Sequence, residues 1–404
     1  MKVLFITTQF PFPLDNGGKI GAYNGLSVVS QNNDVTCLSF AESKDYISEG
    51  LDYYKEKLPN VTFVEPIMQD IHIRDKKIKL VSAILKGYVT NHPYVTSKFE
   101  NNEMFKKIDE CFKSQEWDIV FIDYLNMYIY GEFIKRKYKG QYQHLIFKDH
   151  NKEYEIVKQA YENEHGLKKI ILNKEWKRTF MYEKKAINGA DIVFSVCEDN
   201  TLFMKKYNIN TYTMLPIFSI KRCKSRKKTG NKILYMGNLS WGANMKGVKW
   251  FVDKVLPQVR AKLPDTTLTI VGSGPVINPF SDRKEIIYKG YVKNIDGLYD
   301  DYAVFIVPLF EGSGIRIKIL DAFNNDIPVV STLIGCETIN VKDRVEIMIA
   351  NDVETFSSAV IELLNNEKMR HEISRNAKKY LEREFSLSAR VEAFEGVIRG
   401  MINE

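Results

Sequence analysis

Residues 304–321 read VFIVPLFEGSGIRIKILD. Val304 to Val307 are apolar at every position, the pattern of a strand buried on both faces of a parallel sheet. Pro308, Gly312 and Gly314 then interrupt regular pairing, and a helix opens near Ile315, predicted over 316–324. Strand, glycine loop and helix in this order form one step of an open α/β sheet, whose ligands bind beyond the carboxyl ends of the strands. Two cations fall in the first turn of that helix. Cations there oppose the helix dipole unless an anion is bound, so Arg316 and Lys318, beside Gly312, Ser313 and Gly314, point to a phosphate site. Asp321, one to two turns in, suits paired ribose hydroxyls, and Glu311 stands at the loop tip. The competing reading is a surface helix with a solvated charged face.

Working outward, the same step recurs along the chain. Strands are predicted at Val3–Thr7, Asp34–Phe40, Val61–Val64, Ile119–Ile122, His144–Phe147 and Ile192–Ser195, then at Lys232–Met236, Thr267–Val271, Ile286–Tyr288, Val304–Val307 and Pro328–Ser331. Amphipathic stretches separate them, including 45–57, 101–114, 151–188, 247–262, 353–365 and 367–383. The expected fold is α/β, with two doubly wound parallel-sheet domains. A first domain spans 1–218 and a second 232–385. Between them SIKRCKSRKK, 219–228, is basic at six of ten positions and reads as the core of a linker running to 231. A final helical segment, 386–404, is predicted to pack back on the first domain.

Composition narrows the setting. With 58 Lys and Arg against 51 Asp and Glu, the net charge of +7 suits anionic small molecules, a membrane surface or nucleic acid alike. Five scattered cysteines with no Cys-x-x-Cys pair suggest neither a disulfide framework nor a zinc knuckle, and predict a reducing, cytoplasmic setting. The apolar run Tyr302 to Phe310 has nine residues, well short of the roughly 20 that span a bilayer. Membrane contact is therefore expected to be peripheral, at the inner face. The candidate is 71–88, IHIRDKKIKLVSAILKGY, where lysines alternate with apolar residues; an ordinary amphipathic surface helix is the other reading.

Three further strand ends carry polar residues. After the first strand, adjacent Gly17 and Gly18 either let backbone N–H groups approach an anion or sugar, or make a turn needing positive φ. After His144–Phe147 come Asp149, His150, Asn151 and Glu153. An Asp or Asn there is expected to cap the next helix while His150 points into the crevice, with a structural histidine as the alternative. After Lys232–Met236, Gly237, Asn238 and Asn244 offer flexible or polar groups, whereas Trp250 and Phe251 suit a buried helix face. No second His or Cys sits at ligand spacing from His150, so no metal is expected.

These motifs, MGNLSWGANMKGVKWF, LTIVGSGP, YKGYVKNIDGLYDDYAVFIVPLFEGSGIRIKILDAF and PVVST in the second half, with the Gly-Gly loop, DHNKE and ADIVFSVCED in the first, resemble the retaining glycosyltransferases of the family-4 type. The resemblance covers nearly the whole chain. It implies the GT-B fold, with two Rossmann-like domains facing a cleft, and sugar transfer with retention from a nucleotide-sugar donor to a glycan or lipid-linked acceptor. It implies no bound metal or other cofactor, and no nucleic-acid partner. Gly17 and Gly18 correspond to the loop against sugar and acceptor, and His150 to a histidine on the transferred sugar. Glu311 and Asp321 correspond to the paired donor-site acids, although the second is Asp and lies ten residues on, not eight. Asn238 stands where the family has Arg, and Lys246 is three residues out of step with the family's Lys, leaving Arg316 and Lys318 to neutralise the diphosphate. Those departures keep open a catalytically altered scaffold, or a sugar-nucleotide epimerase on the same fold.

Overall fold

A computed structural model describes residues 1–70, 77–222, 230–275, 277–293, 297–312 and 315–402. Residues 71–76 of the basic apolar segment, 223–229 of the linker, and Ser313 and Gly314 lie outside the described residues. The chain divides into two compact units, Met1–Ile217 with Arg390–Glu404, and Phe218–Ala389.

The first unit contains β1 (Lys2–Ile6), β2 (Asp34–Leu38), β3 (Phe40–Ala41), β4 (Val61–Phe63), β5 (Ile67–Met68), β6 (Trp117–Asp123), β7 (Tyr142–Asp149), β8 (Ile192–Ser195) and β9 (Thr211–Thr213). Seven of these form one sheet in the order β4-β2-β1-β6-β7-β8-β9, every pairing parallel, and β3 pairs separately with β5. Val3, Leu4, Phe5 and Ile6 are all fully buried, so both faces of β1 are covered. That is why its sequence is a continuous apolar run and not an alternating one. Phe5 stacks on Phe121 of the neighbouring strand with ring centroids 4.8 Å apart, and each such side chain contributes about 1.5–3 kcal/mol by leaving water.

The second unit repeats the plan with β10 (Lys232–Met236), β11 (Thr267–Val271), β12 (Ile286–Gly290), β13 (Val304–Val307), β14 (Val329–Ser331) and β15 (Met348–Ile349). Their order is β12-β11-β10-β13-β14-β15, again wholly parallel. In each sheet the winding reverses beside its first strand, between β1 and β6 and between β10 and β13. Loops leaving the strands there run to opposite sides and open a crevice. The first crevice receives Thr7 and Asp123; the second receives Gly237, Pro308 to Gly312, and Arg316.

Two helices differ from the sequence reading. The stretch 151–188 is two helices, Glu153–Glu162 and Gly166–Gly189, because Gly166 takes φ +64° and breaks the run. The helix expected at 247–262 already begins at Gly242 and widens into a π turn over Phe251–Val255 just before Pro257, which has no N–H for the α ladder. The last helix runs over Leu387–Ile402. Its Phe394 ring lies 5.7 Å from Phe194 on β8, and Glu395 accepts a hydrogen bond from Asn32. Among the described residues no helix is long and apolar enough to cross a membrane.

Candidate functional site

At the second crevice, β10 ends in a backbone with no side chain in the way. Gly272, at φ +139°, lies against Gly237 so closely that a Cβ on it would sit 2.0 Å from the Gly237 carbonyl oxygen. Across this opening comes the Lys318 side chain from helix Ile317–Asn324. Its Nζ donates to Asn244 Oδ1 at 3.0 Å and to Tyr235 Oη at 3.5 Å, and a Cβ at Gly237 would approach it to 2.7 Å. Both acceptors are neutral. Burial, followed by repulsion from Arg316, pushes Lys318 down to about 8. Arg316 is itself buried, its guanidinium 6.0 Å from the Trp241 ring centroid, and burial lowers it too, against the pull of Glu337. Gly312 bends at φ +116° beneath this pair, where any Cβ would strike Trp241 at 2.6 Å. Two like charges held together against dehydration and mutual repulsion are arranged for an anion.

Other residues of this crevice stand apart from that pair. Asp321 is half-buried, and burial raises it to about 6 despite the pull of Lys221. Glu311 is exposed and its carboxylate is taken by Lys246 at 2.9 Å. Asn238 is exposed as well. Its side chain accepts from Ser240 N at 2.9 Å and its carbonyl from Asn244 at 2.9 Å, so it builds the turn after β10 and supplies no counter-charge.

In the first crevice Asp123, at the end of β6, is fully buried and accepts from Thr7 Oγ1 at 2.9 Å and from His150 Nε2 at 2.7 Å; Lys148 Nζ is 3.5 Å away. Burial would raise this carboxyl, but Lys148, His150 and Thr7 together hold it below its ordinary value. Burial and Lys148 lower His150, only partly offset by Asp123, so the imidazole is neutral at pH 7 and its Nε2–H donates to the carboxylate. The Tyr124 ring, on a residue at φ +79°, stacks over His150 at 3.7 Å, and its hydroxyl donates to Gly18 O at 3.0 Å. Nδ1 faces helix Gly17–Val29, where a Cβ on Gly21 would come within 3.0 Å of it. A cavity of about 40 Å³ lined by Gly21, Asn24, Lys148, His150, Val196 and Met214 opens beside the ring.

The neighbours of His150 fall elsewhere. Asp149 is buried against Glu183 of helix Gly166–Gly189, and burial plus nearby carboxylates raise both far above the usual range. One proton must therefore sit between them, and Asp149 belongs to the interior, not to the crevice wall. The expected Asp or Asn cap is not formed: Lys152 holds the N-cap position of helix Glu153–Glu162, with Glu153 in its first turn and Asn151 exposed before it. Gly17 and Gly18 open their helix without positive φ; Asn16 caps it by accepting from Lys19 N at 3.0 Å. Sequence reasoning missed Asp123, Lys148 and Tyr124. A charged residue closing the apolar run of β6, and glycines four apart at 21 and 25, were the available signals.

Residues 230–366 match the family described as Glycosyl transferases group 1. The second unit is thus similar to the group 1 glycosyl transferases. The two parallel sheets are those of the GT-B fold, and solved structures cover the whole chain with it. Sucrose-phosphate synthase from Thermosynechococcus elongatus superposes with a TM-score of 0.63 at 14% identity, covering 100% of this chain and 99% of that one. HepE from Anabaena, solved in complex with UDP, gives 0.62 at 12% identity over 99% and 100%. A 44.6 kDa protein in the cps region of Klebsiella pneumoniae, itself uncharacterized, is 25% identical over 95% of this chain and 96% of its own length. The Arg316 and Lys318 crevice falls inside the matched residues.

Proposed function

We propose that this chain is a retaining glycosyltransferase that moves a sugar from a nucleoside diphosphate donor to a glycan or lipid-linked acceptor during surface-polysaccharide synthesis. The observation that carries the reading is the pair of buried Arg316 and half-buried Lys318 at the switch point of a domain similar to the group 1 glycosyl transferases. The HepE structure with UDP and the relative from a cps region support the donor class and the setting. In this reading the diphosphate leaves onto Arg316, Lys318 and the N–H groups opening helix Ile317–Asn324, which need no reorganisation as charge develops. The Asp321 carboxylate takes the ribose hydroxyls. Neutral His150 accepts a hydrogen bond from a sugar hydroxyl at Nδ1, oriented by Asp123 and Tyr124. A concavity of about 240 Å³ in the first domain, lined by Phe10, Phe12, Phe40, Tyr46, Asp15 and Lys19, offers rings and charges to an acceptor sugar.

The test is a panel of UDP-, GDP- and dTDP-sugars. One of them should raise the melting temperature and be slowly hydrolysed; no response from a folded protein to any of them overturns the reading. The pH profile follows from the two shifted groups. Asp321 must be ionised to bind ribose, so kcat/KM should rise as pH climbs through about 6. Lys318 must be protonated to hold phosphate, so kcat/KM should fall as pH passes about 8. A flat profile between pH 5 and 9 would remove both from the donor site.

A further inference from the structure

Behind His150 the interior of the first unit holds two carboxyls that the proposed transfer leaves without a role. Asp149, the last residue of β7, and Glu183, on helix Gly166–Gly189, are each 1% exposed and hydrogen-bond to one another. Among the described residues no N–H or O–H donor reaches Asp149 Oδ2 or Glu183 Oε1, so a proton held between the two carboxyls is what satisfies them. The nearby cations are engaged elsewhere. Lys148 lies on Asp123 at 3.5 Å, and Lys152 on Asp199 at 2.6 Å. Glu153 brings a third carboxylate from the next helix, and the Tyr124 phenol is within electrostatic reach from the loop after β6. Two dehydrated carboxyls cost more than leucines would in the same space, so stability alone does not account for the pair.

Three pieces of chain meet on that proton. Asp149 accepts from the N–H groups of Asn151 and His150, closing the turn that carries the imidazole. Glu183 Oε2 accepts from Tyr154 N at 3.2 Å, in the first turn of helix Glu153–Glu162, and the Tyr154 ring meets Phe180, one turn before Glu183, edge-on at 4.9 Å. Little else fixes the start of that shorter helix. Its N-cap Lys152 makes no side-chain cap bond, and Asn151 before it is exposed. On the other side, Asp123 at 2.7 Å and the Tyr124 ring at 3.7 Å orient the His150 imidazole. Those contacts aim the ring, whereas the carboxyl pair ties down the backbone from which it springs.

We propose that Glu183 is a positioning residue for His150, holding through Asp149 the turn from which the imidazole reaches the sugar. The sugar contact rests on the transferase reading, and the hold on the turn does not. The test follows the His150 Cε1–H resonance in the full chain with isotope-labelled histidine, identified by its loss in His150→Gln. Stacking on Tyr124 places that proton over a ring face, so it should resonate upfield of the other histidines. Glu183→Leu keeps the volume but neither hydrogen bond. It should lose the upfield shift and lower kcat/KM for the responding nucleotide sugar by about 10²-fold, the cost of a misplacement of ~1 Å. Glu183→Gln, whose amide can donate to Asp149 and accept from Tyr154 N, should rescue the shift and most of the rate. A Glu183→Leu chain that melts lower but keeps the resonance in place would overturn the proposal, as would a Gln variant no better than Leu. Amide exchange in the wild-type chain decides even if Glu183→Leu fails to fold: the Asn151 and Tyr154 N–H groups should be protected, and rapid exchange at either overturns the hold. If the resonance moves as expected in a chain that ignores every nucleotide sugar, the hold on His150 stands and the transferase reading falls.

Discussion

Replacing Gly247 by alanine is expected to cost the second domain several kcal/mol. Helix Gly242–Trp250 crosses the end of β13 so closely that a Cβ at Gly247 would lie 1.8 Å from the Pro308 carbonyl oxygen and 2.9 Å from its carbon. Both contacts are to backbone, so no rotamer change relieves them. The helix or the strand must move, and either shift disturbs packing around Val248 and Phe251, which are fully buried. At about 2–4 °C per kcal/mol for a domain of this size, the melting temperature should drop by about 10 °C. Gly242→Ala is the control, since a Cβ there meets nothing within 4 Å. A Gly247→Ala chain melting with the wild type would mean that the helix does not pass this close.

The second large effect falls on activity and spares the fold. Arg316→Ala should lower kcat/KM for the responding nucleotide sugar by about 10²–10³, the usual loss on deleting one donor to a developing charge in a dry site. Without substrate the melting temperature should move little, because relief of the repulsion on Lys318 is set against the lost attraction of Glu337 and the lost packing on Trp241. The pH profile supplies a second readout. Arg316 is one of the two causes that depress Lys318, so its loss should carry the alkaline limb upward from about 8. Lys318→Ala should lower the rate comparably and abolish that limb. A normal rate in either variant would move the diphosphate elsewhere.

How much of this was legible follows from where each residue's partners lie in the chain. Strands β1, β6, β10 and β13 announce themselves because burial on both faces demands unbroken Val, Ile and Phe. Thr211–Thr213 and Met348–Ile349 do not, being edge strands of three and two residues whose register comes from a neighbour far away in sequence. Arg316 and Lys318 were readable because strand, loop and helix are consecutive. His150 was readable by its position after a strand, but not what orients it: Asp123 and Lys148 come from two strands and meet only when the sheet forms. For Glu311 and Asn238 the sequence shows type and position, which suit a donor site, but not the partners that the folded chain supplies, Lys246 for one and the Ser240 N–H for the other.

The return of Arg390–Glu404 to the first unit sets an order on how the chain is made. A ribosome releases Met1–Ile217 first, but the helix that covers Phe194 with Phe394 is synthesised last, after all of Phe218–Ala389. At about 5–20 residues per second that interval lasts on the order of ten seconds or more. Throughout it the first sheet carries an uncovered aromatic ring beside β8, and the second domain must fold without drawing that ring into its own core. Completion of the first domain thus reports that the second has been made, so a chain truncated just before Arg390 keeps all of the second unit and leaves the first one, made earlier, unfinished.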